Sequence, residues 1–145
     1  ASNLKISDVM NPKPHTLKEG DKIIGSSLFM KEEKVRALAV TNLFGGLIGL
    51  VTLREIIDAL TGESNKLLIK DAMIKEKDII SVSCETSVDE AIEIMTKNKF
   101  NCLPVVNKWK VFSGFVTETD LFRGLFKFVQ IPDDFYFERF GVSAV

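Results

Sequence analysis

Two rhythms alternate along this chain. From Thr86 onward, Val88, Ala91, Ile92 and Met95 stand at i, i+3, i+4 and i+7, which places them on one helical face, and Thr86 or Ser87 can cap the start. Short β-prone runs surround that helix. Residues 79–82 precede it, and Leu103-Pro104-Val105-Val106 and residues 111–116 follow it, the last two joined by the polar Asn107-Lys108-Trp109-Lys110, a connection of hairpin length. A further helix is predicted from about Thr117, so the order is strand, helix, strand, strand, helix.

The same order occurs earlier in the chain. Asp21 offers a cap and Ile23 or Ile24 begins an apolar stripe, although Gly25-Ser26-Ser27 makes a poor helix interior, by about 1 kcal/mol at the glycine alone. Either the small residues admit a backbone or ligand there, or packing rescues a weak helix. Ala37-Leu38-Ala39-Val40 and residues 47–51 form a strand pair around residues 42–46, and Thr61-Gly62-Glu63-Ser64-Asn65 reads as a turn-rich linker.

Sliding the chain against itself by 65 positions aligns Met30 with Met95, Lys34 with Lys99, Leu38 with Leu103, Val40 with Val105 and Asn42 with Asn107. In the same register Gly49-Leu50-Val51-Thr52-Leu53-Arg54-Glu55 meets Gly114-Phe115-Val116-Thr117-Glu118-Thr119-Asp120. Asp8-Val9-Met10 matches Asp71-Ala72-Met73 at a shift of 63, so the first copy is two residues shorter after its opening turn. The chain is a tandem duplication. Residues 1–62 form the first copy, 63–125 the second, and 126–145 an aromatic-rich extension.

Bulk properties narrow the function. The 145 residues suit one compact unit built of two small halves. With 19 Lys+Arg against 20 Asp+Glu, there is no basic field to attract nucleic acid or an anionic membrane nonspecifically. No apolar run reaches the ~20 residues of a membrane span, so no membrane insertion of this segment is expected. The opening residues lack the basic-then-apolar order of a signal peptide, and a cytoplasmic location is expected. Cys84 and Cys102 fit neither a disulfide framework nor a CxxC motif, and the single His completes no zinc site with them. Gly45, Gly46 and Gly49 do not have GxGxxG spacing, and no nucleophile, P-loop or metalloprotease motif occurs. No catalysis and no catalytic cofactor are expected.

The ordered set Thr86-Ser87-Val88-Asp89-Glu90-Ala91, Ile94-Met95, Leu103-Pro104-Val105-Val106 and Gly114-Phe115-Val116-Thr117-Glu118-Thr119-Asp120-Leu121, echoed in the first copy, resembles the cystathionine-β-synthase (CBS) domain pair, or Bateman module. The resemblance covers residues 5 to about 125. It implies an α+β fold, a tandem pair of pseudo-twofold related β-α-β-β-α repeats packed through their sheets. It implies two clefts able to hold an adenosine-containing ligand such as AMP, ADP, ATP or S-adenosylmethionine. It also implies regulation of a fused or partner enzyme, channel or transporter, and association into disc-like homodimers.

The residues supply chemistry for such a ligand. A threonine where a strand enters a helix offers a hydroxyl beside unpaired N–H groups suited to phosphate, which makes Thr117 and Thr52 candidates. Asp120 and its counterpart Glu55, three residues further on, are placed to accept hydrogen bonds from a ribose diol. A plain N-cap with a first-turn acid explains the same spacing without a ligand. Glu55 is one methylene longer than the family's usual aspartate, so the second copy is the better site.

By the family pattern, adenine would lie against Ile80, Ser81 and Val82 with Asn101, Cys102 and Leu103, and in the other copy against His15, Thr16 and Leu17 with Arg36 to Leu38. Apolar walls there also serve simply as core. Cations for a phosphate in either cleft can come from the opposite copy, with Lys13, His15, Arg36 and Arg54 available on the first and Lys99 and Arg123 on the second. Arg54 stands where the family often carries a basic residue, and His15 reads equally as a strand histidine.

Beyond Leu125 the rings of Phe126, Phe128, Phe135, Tyr136, Phe137 and Phe140 call for a covering surface, either the second copy, a homodimer contact or a neighbouring domain. Two functions remain open: a sensor of an adenine nucleotide or adenosyl small molecule, and a ligand-free dimerisation or docking module.

Overall fold

The computed structural model describes residues 4–12, 15–63 and 65–128. The expectation for the aromatic extension falls mostly on residues 129–145, outside the described residues. The first copy runs through α1 (Ile6–Val9), β1 (Asn11–Pro12), β2 (Thr16–Leu17), α2 (Ile23–Glu33), β3 (Ala37–Thr41), β4 (Leu47–Thr52) and α3 (Leu53–Thr61). The second repeats that order as α4 (Ile69–Ala72), β5 (Ile74–Lys75), a 3-10 turn (Glu76–Asp78), β6 (Val82–Ser83), α5 (Val88–Asn98), β7 (Cys102–Val106), β8 (Phe112–Thr117) and α6 (Glu118–Phe128). The expected β-α-β-β-α unit is present twice, each copy preceded by a short helix and a two-residue strand.

Local chemistry sets the boundaries. Ser87 caps α5, its Oγ accepting from the Glu90 N–H at 3.1 Å, while Thr86 Oγ1 accepts from Ser83 N. The run at 79–82 contributes only its end to β6, because Ile79 N is spent on Glu76 O in the preceding turn. Asp21 does not cap α2. Its carboxylate accepts from Lys18 N at 2.8 Å, and Lys22 occupies the cap position. Within α2, Ser26 Oγ and Ser27 Oγ donate back to Lys22 O and Ile24 O, and Gly25 faces open space. Burial of Ile23 and Met30 holds the weak helix in place.

The two sheets have orders β2-β3-β4-β5 and β1-β8-β7-β6, with β2/β3 and β6/β7 parallel and the other pairs antiparallel. Each copy therefore lends its opening segment to the other. β1 pairs with β8, Asn11 opposite Phe115, and β5 pairs with β4, Lys75 opposite Gly49. Backbone bonds repeat the exchange symmetrically: Ile6 N donates to Thr86 O and Ile69 N to Asp21 O, both at 2.8 Å, while Val88 N donates to Leu4 O and Ile23 N to Leu67 O, both at 2.9 Å.

The fully buried Ile6 sits with Val88, Leu103 and Val116, and the fully buried Ile69 with Leu38, Val40 and Val51. Gly49 is required by this arrangement, since a Cβ there would collide with Met73 at the end of α4. Between the sheets lie Ala39, Leu47 and Phe115, with Phe112 packed edge-on against Phe115 at 5.2 Å. At one end of this seam the two hairpin turns are bonded directly, Phe112 N donating to Gly45 O at 2.9 Å.

Candidate functional site

At the other end, β8 finishes at Thr117 and α6 begins one residue later. Thr117 N donates to Asp120 Oδ2 at 2.9 Å and Asp120 N donates to Thr117 Oγ1 at 3.1 Å, a reciprocal cap that accounts for Thr-x-x-Asp locally. Asp120 has a further contact. Its side chain is 6% exposed, and Oδ1 accepts from Nη2 of Arg123, which is 68% exposed, at 3.0 Å. A carboxylate has about four lone-pair positions, so acceptor capacity remains for another donor.

These groups border a cavity of about 740 Å3 formed by both copies. That volume falls within the ~300–1,000 Å3 of small-molecule sites. The second copy contributes Cys102, Phe115, Thr117, Asp120 and Arg123; the first contributes His15, Phe29, Arg36, Ala37 and Leu38. The His15 ring packs on Phe29 at 5.1 Å between centroids. Three cationic or basic groups, His15, Arg36 and Arg123, share the lining with Glu33, Glu118 and Asp120 around apolar walls. Burial pushes the Cys102 thiol up from its ordinary pKa, so at neutral pH it lines the cavity as an uncharged thiol.

Of the residues read from sequence, His15, Arg36, Cys102, Thr117 and Asp120 are brought together here. Ile80, Ser81 and Val82 do not line this cavity. Val82 and Leu103 are core residues, and Ile80 and Ser81 are exposed. As expected for the cations, His15 and Arg36 of the first copy share the lining with Asp120, and the first copy's β1 is paired with β8 beside it. Thr16 is half-buried, its hydroxyl bonded to that of Thr41. Thr52 and Glu55 form a cap of their own at the head of α3, and Arg54 is exposed. Asn11, Phe29 and Glu33 join the lining without having been singled out in the sequence. Their only signal was position, and the strand exchange that gives position its meaning leaves no mark on hydrophobic periodicity.

Fold and cavity together define a paired-repeat module with a ligand-sized crevice between its halves. The chain belongs to the CBS domain family, whose sequence model matches residues 6–62 and 69–127. An uncharacterized 17.7 kDa protein of Acidianus ambivalens is 28% identical over 121 residues, which span 83% of this chain and 73% of that protein. Inosine-5'-monophosphate dehydrogenase of Korarchaeum cryptofilum is 34% identical over 122 residues, 84% of this chain and only 23% of the enzyme. Among solved structures, CBSX2 in complex with AMP superposes with a TM-score of 0.78 at 21% identity, covering 88% of this chain and 99% of that one. The CBS domain pair of protein MJ0100, in complex with 5'-methylthioadenosine and S-adenosyl-L-methionine, gives 0.74 at 23% identity, covering 86% and 97%. These likenesses show the fold. Among the described residues no helix is long and apolar enough to cross a membrane.

Proposed function

We infer that the protein is a regulatory, non-catalytic module that binds an adenine nucleotide or related adenosyl ligand in the cavity between its copies and transmits occupancy to a fused or partner protein. The cavity that joins Asp120 and Thr117 of one copy to Arg36 and His15 of the other carries this reading. Asp120 accepts from the ribose diol with its remaining lone pairs. The Thr117 hydroxyl and the first N–H groups of α6 meet a phosphate, and Arg36 and the outward-reaching Arg123 balance its charge. Apolar walls at Phe115 and Leu38 suit the base. A ligand touching both copies favours one angle between them, which is how binding becomes a signal. The AMP and S-adenosyl-L-methionine named in the complexes of similar folds, and the small fraction of the Korarchaeum dehydrogenase that this chain spans, support a ligand-binding module carried by larger proteins.

A thermal-shift series with AMP, ADP, ATP and S-adenosylmethionine tests this. Ligand at a hundred times its Kd stabilises the fold by about 2.7 kcal/mol, and no shift with any of the four removes the proposal. A second reading, dimerisation, draws on Ile24 and Leu28 of α2 and Ile57 and Leu60 of α3, all more than half exposed. Light scattering of the chain and of Leu28→Glu tests it; identical masses across a concentration series exclude that face.

A further inference from the structure

The groups that line the cavity limit how much negative charge it can hold. Few donors remain for an anion at the head of α6. Of its first three N–H groups, that of Glu118 donates to Asn101 O at 3.0 Å and that of Asp120 to Thr117 Oγ1 at 3.1 Å, which leaves the N–H of Thr119 beside the Thr117 hydroxyl. The first copy adds the guanidinium of Arg36, and Arg123 lends its charge while already donating to Asp120 at 3.0 Å.

Carboxylates stand among these donors. Glu118 is the first residue of α6, next to Thr117, and is exposed. That position favours the helix, since an acid complements the positive end of the dipole, but it also sets a negative charge where a phosphate would approach. Glu33 is the last residue of α2, and Phe29 one turn earlier lines the cavity with it, so the carbonyl end of that helix borders the same space. The dipole there is negative. Neither Glu33 nor Glu118 has an ion-pair partner among the described residues. Against Arg36 and Arg123 the lining thus sets Glu33, Glu118 and Asp120, one net negative charge with His15 uncharged and none with it protonated.

A monophosphate brings a charge of about −2, and each further phosphate about −1 more. Two guanidiniums, one hydroxyl and one N–H match a single phosphate. A longer chain would run on between Glu118 and Glu33, where nothing cationic is left to meet it. Space does not make this choice, because about 740 Å3 is ample for small molecules in general.

We propose that the cavity selects an adenosyl ligand bearing at most one phosphate, and that Glu118 and Glu33 are the residues that turn away a second and a third. This rests on the nucleotide reading and narrows it from adenine nucleotides at large to the monophosphate.

Calorimetry of the full chain with AMP, ADP and ATP, each with and without Mg2+, tests it. In about 0.1 M salt the affinity is expected to fall from AMP through ADP to ATP, by about tenfold overall. Because the cause is repulsion, the gap narrows in about 1 M salt, whereas a gap set by shape would persist. Glu118→Gln with Glu33→Gln brings ATP level with AMP, and Glu118→Lys with Glu33→Lys makes ATP the tighter ligand. A variant that merely damages the fold weakens all three alike and leaves their ratio in place. ATP bound by the parent chain as tightly as AMP, with or without Mg2+, overturns the proposal while the nucleotide reading stands. An AMP preference that neither salt nor the variants move overturns it too. Binding of none of the three removes the proposal together with the nucleotide reading.

Discussion

Thr52-Leu53-Arg54-Glu55 and Thr117-Glu118-Thr119-Asp120 occupy equivalent positions and behave differently. In the first copy Glu55 Oε1 accepts from both Thr52 N, at 2.7 Å, and Thr52 Oγ1, at 2.6 Å. The additional methylene lets the carboxylate fold back over the threonine and accept a hydrogen bond from its hydroxyl. In the second copy Thr117 Oγ1 only accepts, from Asp120 N, and its proton has no acceptor among the described residues. One turn further on, Arg123 reaches Asp120, whereas the equivalent residue of the first copy is Asp58. Duplication preserved the fold, while two small changes closed one threonine upon its own helix and left the other free beside a guanidinium.

The largest expected effect tests whether the copies differ in structure at all. Ile6→Ala and Ile69→Ala each remove a fully buried side chain from the core of the opposite copy and are expected to cost about 2–5 kcal/mol in urea unfolding. Because each core mixes both copies, either variant unfolds in one transition; separate transitions for the halves would break the equivalence. Next comes the ligand. Asp120→Ala is expected to weaken AMP binding by about ten- to hundredfold in calorimetry, or ~1.5–3 kcal/mol, as a charged hydrogen-bond partner is lost, while Glu55→Ala leaves that affinity unchanged. Equal losses would make the two clefts alike.

A gain-of-function test sharpens the same contrast. Glu55→Asp with Asp58→Arg gives the first copy the second copy's groups, and the calorimetric stoichiometry should rise from one AMP toward two. An unchanged value would locate the asymmetry elsewhere. The smallest effect concerns Cys102. Since burial raises its pKa, the folded protein holds the thiol proton more tightly than the unfolded chain does. That contribution to stability is complete below the ordinary cysteine value and is lost as pH climbs through the raised one. Iodoacetamide should label Cys102 slowly at neutral pH, faster in alkali, and more slowly again under saturating AMP. Labelling indifferent to AMP would place the ligand away from it.

Much of this architecture was legible in the residues. Repeated spacing located both strand pairs and all four principal helices, since amphipathic periodicity and hairpin chemistry are local properties. Asp120 and Thr117 were readable for the same reason, as neighbours on one helical turn. Cations from the opposite copy could be named, but the wall beside them could not. Ile80 and His15 hold matching places in the repeat, and only the pairing of β1 with β8, a long-range event with a two-residue signature, decides that His15 faces Asp120. Arg123 could be named as a cation, but its bond to Asp120 depends on rotamer and burial.

The exchange of opening segments also bears on how such a protein can be taken apart. A protease cutting at Gly62 would sever the backbone without releasing either half, because each fragment retains a strand and a buried isoleucine lodged in the other. The nicked product should migrate as one particle until denatured. A gene encoding a single repeat would yield a chain lacking an edge strand and a core side chain, complete only when a twin supplies them.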